Sequence, residues 1–461
     1  MVDSSEPVAA MVARAVGIVG RTHVLTDPDL TASRSVDWTG RFRARPAPVV
    51  RPGRVAEVAA LVAAARELGV ALVPQGGNTG LVGGAVPLDG GVVVDLTRFD
   101  GVDDIDATSG QLTAGAGATI GAVQAAAAAA GWQYGVDWSA RDTATVGGSV
   151  ATDAGGLRFI RHGGTRRQLL GVEAVLGTSE VISHLPAVEK DNTGYDLGAL
   201  LCGSECTLGL VTRARLRLVP PRAPASCVLV AFGSIGSAVS AATTLRREVV
   251  ELEAVELMVD AGLALVCSSM GLMVPFATPA PATLLVEVAS RADPHALLDG
   301  VLTSMDGVDE VVVATDERQR RELWRYRELH TEAIARVGPA HKLDVTLPPR
   351  SLADFVTEVP ELVASVAPEA RTWCFGHAGD GNVHVNVTGI EPGDDSVDEA
   401  VLVDVADRGG SISAEHGIGR AKRRWLHLAR GPADVSAMVA VKRALDPDGI
   451  CNPGVLLPSG S

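Results

Sequence analysis

The stretch PQGGNTGLVGGAVP, residues 74–87, decides how the chain is read. Five glycines (Gly76, Gly77, Gly80, Gly83, Gly84) surround Asn78 and Thr79. Glycine admits positive φ and lets a ligand approach the backbone closely. Successive backbone N–H groups in such a loop can form an anion-binding concavity, and Asn78 and Thr79 can add amide and hydroxyl donors. A plain surface turn is the competing reading. Just upstream, VAEVAALVAAARELG has helical spacing stopped by Gly69, and ALVPQGG reads as a buried strand running into the glycines. Downstream, GGVVVDLTRF and QLTAGAGA read as strands and TIGAVQAAAAAAG as a helix closed by Gly131. Other glycine patterns do not compete. G-x-x-x-x-G-K-[ST] is absent, and Gly115, Gly117 and Gly121 miss a dinucleotide fingerprint because Ile120 takes its last position.

Further out, 461 residues suggest about three domains at about 150 residues each. A 47% hydrophobic composition argues against disorder. A net charge of −15 argues against nucleic acid or an anionic membrane as the main partner. Only four of the 40 basic residues are lysine (Lys190, Lys342, Lys422, Lys442), so a lysine inside a chemical motif stands out. The N-terminus MVDSSEPVAA has no basic region followed by an apolar one, so no secretory signal is expected. The best apolar run, GLALVCSSMGLMVPF, is interrupted by Ser, Gly and Pro275, so no transmembrane segment is expected. Six cysteines make no disulfide scaffold. Cys202 and Cys206 lack the second pair a zinc site would need, and a reduced, cytoplasmic protein is the expectation. ARLRLVPPRAP marks a boundary near residue 220, after which CVLVAFGS, SAVSAATTLRRE, ELEAVELMV, ATLLVEVAS and DEVVVAT read as a second α+β domain with an antiparallel sheet.

TWCFGHAGDGNVHVNV, residues 372–387, reads as strand, turn, strand. His384 and Asn386 are two apart and share a face, and a hairpin can bring His377 alongside His384. SAEHGIG adds Glu415 and His416. Two imidazoles and a carboxylate leave an open position on Zn2+ or a similar ion; unrelated turn residues are the alternative. In LWRYRELHTEAIARVGPAHKLDVTLP, residues 323–348, Arg327 and Thr331 are four apart and expected on one helix face, and Lys342 begins a predicted strand. Cations beside a hydroxyl suit a carboxylate; a solvated helix face is the alternative, and Arg325 is read that way.

The glycine loop, TATVGGSVATDAGGLRFIRHGG (143–164) and KDNTGYDLGALLCGSECTLGLVTRARLRLVP (190–220) together resemble the FAD-binding domain of the vanillyl-alcohol oxidase/p-cresol methylhydroxylase superfamily, and more narrowly its D-2-hydroxyacid dehydrogenase branch. The likeness runs from about residue 40 to NPGVLLP. It implies that Pro74, Gly76, Gly77, Asn78, Thr79 and Gly80 cradle the FAD pyrophosphate, with Gly83 and Gly84 in the same loop. Thr143, Gly147, Gly148, Thr152 and Gly155 would follow the ribityl chain and flavin. Glu205, Leu210 and Val211 would lie along the adenosine–flavin cleft, and Asn452 would reach back to the flavin ring. With Asn78 and no histidine in the loop, the FAD is expected to be non-covalent. Three residues depart from the family pattern: Cys206 stands where Gly is usual, Asp153 where Asn is common, and His162 where Tyr is frequent. Cys206 could strain a turn or sit beside the flavin, and Asp153 could add charge near the pyrophosphate. The resemblance also makes His377, His384 and Glu415 ligands of a divalent metal, zinc by expectation, and puts Asn386 and His416 on the substrate. R-x-x-x-T followed by K-x-D-x-[ST]-L-P resembles the pattern of the D-2-hydroxyglutarate dehydrogenases, in which the residues matching Arg327, Thr331 and Lys342 bind the distal carboxylate.

The expected fold is α+β, with a PCMH-type FAD-binding domain of two α+β subdomains and an α+β substrate domain with an antiparallel sheet. The expected boundaries are 1–40 (helical segment), 41–221 (FAD domain), 222–435 (substrate domain with the metal site) and 436–461 (return to the FAD domain). The expected activity is oxidation of a D-2-hydroxy acid, D-2-hydroxyglutarate to 2-oxoglutarate by first choice, with hydride passing from C2 to flavin N5 and His416 as general base. Alternatives are D-lactate, glycolate, D-malate or a secondary metabolite as substrate, and, from another class, a zinc hydrolase. An electron-transfer flavoprotein, a quinone or oxygen could each re-oxidise the flavin, and oligomeric state is open, a homodimer included.

Overall fold

Val58, Leu61, Val62 and Ala65 recur at three- and four-residue spacing and are all buried, which is the stripe that turns Val55–Leu68 into a core-facing helix. Gly69 ends it in the left-handed conformation at φ 62°, where a side chain would be strained. The computed structural model describes residues 6–303 and 305–458, and the chain divides into two units.

The first unit comprises residues 1–156, 162–221 and 415–461. One sheet has the order β1-β2-β4-β3 (β1 Val24–Leu25, β2 Val49–Val50, β3 Leu72–Gln75, β4 Val92–Asp95), with β2, β4 and β3 parallel. The other is antiparallel, order β5-β6-β9-β7-β8 (β5 Val102–Asp106, β6 Gln111–Gly115, β7 Leu169–Leu176, β8 Val181–His184, β9 Gly209–Arg217). Helix Glu6–Val19 buries Val8, Met11 and Ala15 in the same core as Val58 and Leu61, so the N-terminal segment belongs to this unit. Its C-terminal tail is tied by Lys442, a buried lysine whose ammonium donates to the Thr207 and Cys451 carbonyls at 2.6 and 2.9 Å and pairs with Asp446.

The second unit comprises residues 157–161 and 222–414. Its seven-stranded antiparallel sheet has the order β13-β10-β12-β11-β15-β16-β14 (β10 Ala225–Phe232, β11 Leu252–Val259, β12 Ala282–Ala289, β13 Val308–Ala314, β14 Ala340–Thr346, β15 Arg371–His377, β16 Asn382–Thr388). Ala254 and Met258 of β11 pack with Leu263, Leu323 and Trp324, and Trp373 and Phe375 of β15 with Ile334. The helices Asp260–Met270, Glu317–Glu328 and His330–Val337 therefore cover one face. Residues 157–161 join this unit because Arg158 pairs with the buried Glu253 and Glu287 at 3.1 and 2.9 Å.

The chain re-enters the first unit at Glu415, not after residue 435. The cause is local. The Glu205 carboxylate accepts the Ile418 and Gly419 amides, both at 2.8 Å, and Arg420 N donates to the Val82 carbonyl at 2.9 Å. A second difference concerns the expected single helix through Arg327 and Thr331. It is interrupted: Arg327 lies in the last turn of Glu317–Glu328, and Thr331 in the first turn of His330–Val337.

Candidate functional site

In the first unit, β3 delivers Gln75 to the glycine loop. Gln75 Nε2 donates to the Arg34 and Ala85 carbonyls, both at 3.0 Å, which fixes where the loop starts and folds back. A Cβ on Gly76 would overlap the Thr145 hydroxyl, and one on Gly77 the Thr143 carbonyl oxygen. The loop thus lies directly on the 143–145 segment. Thr145 caps the helix Val146–Thr152, and a Cβ on Gly147 would come within 2.7 Å of Ala116. Backbone therefore lies against backbone where the two segments meet, and the residues present fit a phosphate-bearing cofactor held largely by main-chain donors.

Several side chains assigned to the cofactor also make hydrogen bonds or core contacts within the fold. Asn78, at φ 53°, donates through Nδ2 to the Val36 carbonyl at 2.9 Å. Asn452 Nδ2 donates to the Gly84 and Glu205 carbonyls at 2.9 and 2.8 Å. Both its amide hydrogens are thereby used in stitching the tail to the loop. Leu210 and Val211 are buried core residues of β9. Asp153 caps its helix in the left-handed conformation and pairs with Arg166 at 2.8 Å, which neutralises the extra charge. Thr152 Oγ1 donates to the Gly148 carbonyl at 3.0 Å. Cys206 sits at φ 60° after Glu205 at φ 51°, a double left-handed turn that explains why glycine suits the position. Burial pushes the Glu205 carboxyl up to about 7, opposed by the Ile418 and Gly419 amides. Glu415 Oε1 accepts the Gly156 amide at 2.7 Å, and His416 follows it in the chain.

In the second unit, strand register assembles a polar patch. β11, β15, β16 and β14 pair so that Glu256 lies opposite His377, His377 opposite Asn382, Phe375 opposite His384, His384 opposite Asp344, and Asn386 opposite Lys342. Residues opposite or two apart share a face, so all of these belong to the one carrying Met258, Trp373 and Phe375. Glu256 Oε1 lies 2.7 Å from His377 Nδ1, and Glu256 Oε2 2.7 Å from Arg327 Nε. Asp344 Oδ1 accepts the Asn382 amide at 2.7 Å and lies 3.3 Å from His384 Nδ1. The two imidazole centroids are 5.3 Å apart. Each ring thus turns Nδ1 to a carboxylate, which leaves Nε2 as the nitrogen that can ligate a cation. Burial holds His384 below the usual imidazole range, although Asp344 opposes this. The donor set, two imidazoles with carboxylate support, fits a divalent metal.

Arg327 is 6% exposed, and its guanidinium stacks on Phe375 at 4.6 Å. Only its Nε–H is used within the described fold. Lys342 is carried on the same sheet face, and burial lowers its ammonium to about 8. Thr331 lies in the first turn of the next helix. Register thus brings His377, His384, Asn386 and Lys342 together, with Arg327 held beside them by Glu256. Glu256 and Asp344 were missed by the sequence reading. The signal was present in ELEAVELMV: a carboxylate inside an apolar strand is rare unless paired.

Residues 46–184 match the family "FAD binding domain", and residues 222–456 match "FAD linked oxidases, C-terminal domain". The chain is 37% identical over 436 residues to D-2-hydroxyglutarate dehydrogenase of Xanthomonas citri pv. viticola, covering 91% of each chain. It is 36% identical over 450 residues to the mitochondrial D-2-hydroxyglutarate dehydrogenase of Bos taurus, covering 95% of this chain and 81% of that protein. In fold it resembles p-cresol methylhydroxylase with substrate bound (TM-score 0.79, 16% identity, 98% of this chain and 97% of that one) and alkyldihydroxyacetonephosphate synthase (TM-score 0.76, 15% identity, 98% and 86%). The fold is therefore the PCMH-type FAD-binding fold, and the molecule is an FAD-dependent oxidoreductase. The chain belongs to the FAD-linked oxidases.

Proposed function

We propose that this enzyme oxidises a D-2-hydroxy acid bearing a second carboxylate, D-2-hydroxyglutarate by first choice, to the 2-oxo acid, with the help of a divalent metal ion. The observation that carries the reading is the shared sheet face of the second unit. Two carboxylate-oriented histidines stand there beside two cations, the buried Arg327 and the half-buried Lys342. A hydroxy acid offers a chelating end to the first pair and a distal carboxylate to the second. The relatives named D-2-hydroxyglutarate dehydrogenase support the same substrate.

When bound, FAD would supply a hydride acceptor at N5, and a divalent cation, zinc by first choice, would supply a Lewis acid toward the C2 hydroxyl. FAD would be held by Gly76, Gly77 and the segment from Thr143 to Gly155. The metal would be held by His377 and His384 through Nε2. Arg327, Thr331 and Lys342 would bind the distal carboxylate, and Asn386 would orient the near end. His416 would take the hydroxyl proton on a ring nitrogen as general base.

The test is an anaerobic titration of the purified yellow protein with D-2-hydroxyglutarate, D-lactate, glycolate and D-malate. Bleaching at the lowest concentration with D-2-hydroxyglutarate is expected. A protein bleached equally well by D-lactate or glycolate would refute the dicarboxylate reading, and one bleached by none would refute the dehydrogenase reading.

A further inference from the structure

The Glu256 carboxylate is an unusual group to find where it is. It is 1% exposed, in a strand whose neighbours are apolar. Both its oxygens have donors: Oε1 faces His377 Nδ1 and Oε2 faces Arg327 Nε, each at 2.7 Å. Burying a carboxylate is costly unless it is paired and hydrogen-bonded, and here two cationic or donor groups on different elements share it. His377 comes from the end of β15, and Arg327 from the last turn of a helix covering the sheet.

We propose that Glu256 is a positioning residue that fixes the proton of His377 on Nδ1, and so keeps Nε2 available to the metal, while it holds the Arg327 guanidinium in place for the distal carboxylate. The inference rests on the metal and dicarboxylate reading above and goes beyond it by assigning a residue that touches neither metal nor substrate. A carboxylate can accept from both neighbours at once. An amide of the same shape can accept on one side only, because its other end is a donor. In Glu256→Gln the amide oxygen stays with Arg327, since a guanidinium has no acceptor and cannot give up its proton. The NH2 group then faces His377. The imidazole answers by moving its proton to Nε2 and accepting on Nδ1, and Nε2 is lost as a ligand.

A positioning role and simple packing respond differently to two substitutions. Glu256→Gln preserves size and removes the second acceptor. Glu256→Asp preserves both acceptors and shortens the side chain. If Glu256 only fills space, Asp is the more damaging change; if it fixes the tautomer, Gln is. The experiment uses FAD-loaded wild-type, Gln and Asp proteins. Each is stripped of metal and titrated with Zn2+ against a chromophoric chelator, with flavin content and thermal melting as checks on folding.

Zinc affinity is expected to fall in the order wild type, Asp, Gln, with Gln roughly 10–100-fold below wild type, as for other orienting partners of metal-bound histidines. At saturating Zn2+, the Gln protein should still prefer a dicarboxylate over a monocarboxylate hydroxy acid, because Arg327 keeps its partner. Should the Gln protein fail to fold, Glu256→Asn against Glu256→Asp makes the same amide–carboxylate comparison at the shorter length. Zinc affinity in Gln equal to wild type, or lower in Asp than in Gln, overturns the proposal. A wild-type protein that takes up no Zn2+ overturns the metal reading itself, and is told apart because all variants then behave alike.

Discussion

Arg327 Nε lies 2.7 Å from Glu256 Oε2, so the guanidinium enters the site already oriented, its plane on the Phe375 ring. A preoriented fork recognises a carboxylate at two points, which an ammonium on a flexible stem does not. Replacing Arg327 by Ala should lower kcat/KM for D-2-hydroxyglutarate by an amount equivalent to roughly 2–5 kcal/mol, the cost of truncating a buried charge pair. Arg327→Lys should recover part of that loss and no more. Flavin content should stay at the wild-type level in both. Unchanged kcat/KM in Arg327→Ala would exclude the anchor role.

Lys342 gives the site a pH limit. Burial lowers its ammonium to about 8, because removing water disfavours the charged form. Only the protonated form attracts a carboxylate. Apparent affinity for a dicarboxylate should therefore be flat below about pH 8 and fall roughly tenfold per unit above it. A substrate without the distal carboxylate should show no such limb, and Lys342→Arg should abolish it. Steady-state KM measured from pH 6 to 10 checks this.

Metal removal should stop turnover without bleaching the protein. Dialysis against a chelator is expected to leave the flavin absorbance intact and to abolish D-2-hydroxyglutarate oxidation, with activity returning on addition of Zn2+ or another divalent ion. Full activity in a stripped sample shown metal-free by elemental analysis would contradict the metal role.

Two glycines of one loop should behave oppositely. At Gly77 a Cβ would overlap the Thr143 carbonyl oxygen and lie 2.8 Å from its carbon; at Gly80 it would meet nothing within 4 Å. Gly77→Ala should lower stability by about 1–3 kcal/mol, as overpacking does, and yield protein poor in flavin. Gly80→Ala should keep the melting temperature of the apoprotein. Flavin-to-protein absorbance and thermal melting distinguish the two.

Cys206 should be chemically silent. Burial pushes its thiol up to about 12, and those of Cys202 and Cys374 equally far, so almost no thiolate exists at neutral pH. Native protein treated with iodoacetamide should remain unlabelled at all three by peptide mass spectrometry, while urea-unfolded protein should be labelled at each.

What the sequence determined by itself was local. Glycines between a buried strand and polar residues marked a loop able to approach a ligand closely, and Gly69 marked where a helix stops. Alternation in NVHVNV put His384 and Asn386 on one face, because the period of a strand needs no partner to be read. The shared length of the motifs made the family legible, and with it the metal and substrate residues that the resemblance leads one to expect. The tertiary structure decided what depends on neighbours remote in the chain. Glu256 is 121 residues from His377 and 71 from Arg327, and only the β11–β15 register makes it the carboxylate they share. Asn452, expected at the flavin ring, donates to the Gly84 carbonyl, and Asp153, expected to add charge near the pyrophosphate, pairs with Arg166. The break between Arg327 and Thr331 was equally hidden, since a four-residue spacing is the same whether or not the helix continues. Hydrogen-bond donors and acceptors are assigned to ligand or to fold only when the chain has closed on itself, and no local pattern encodes that choice.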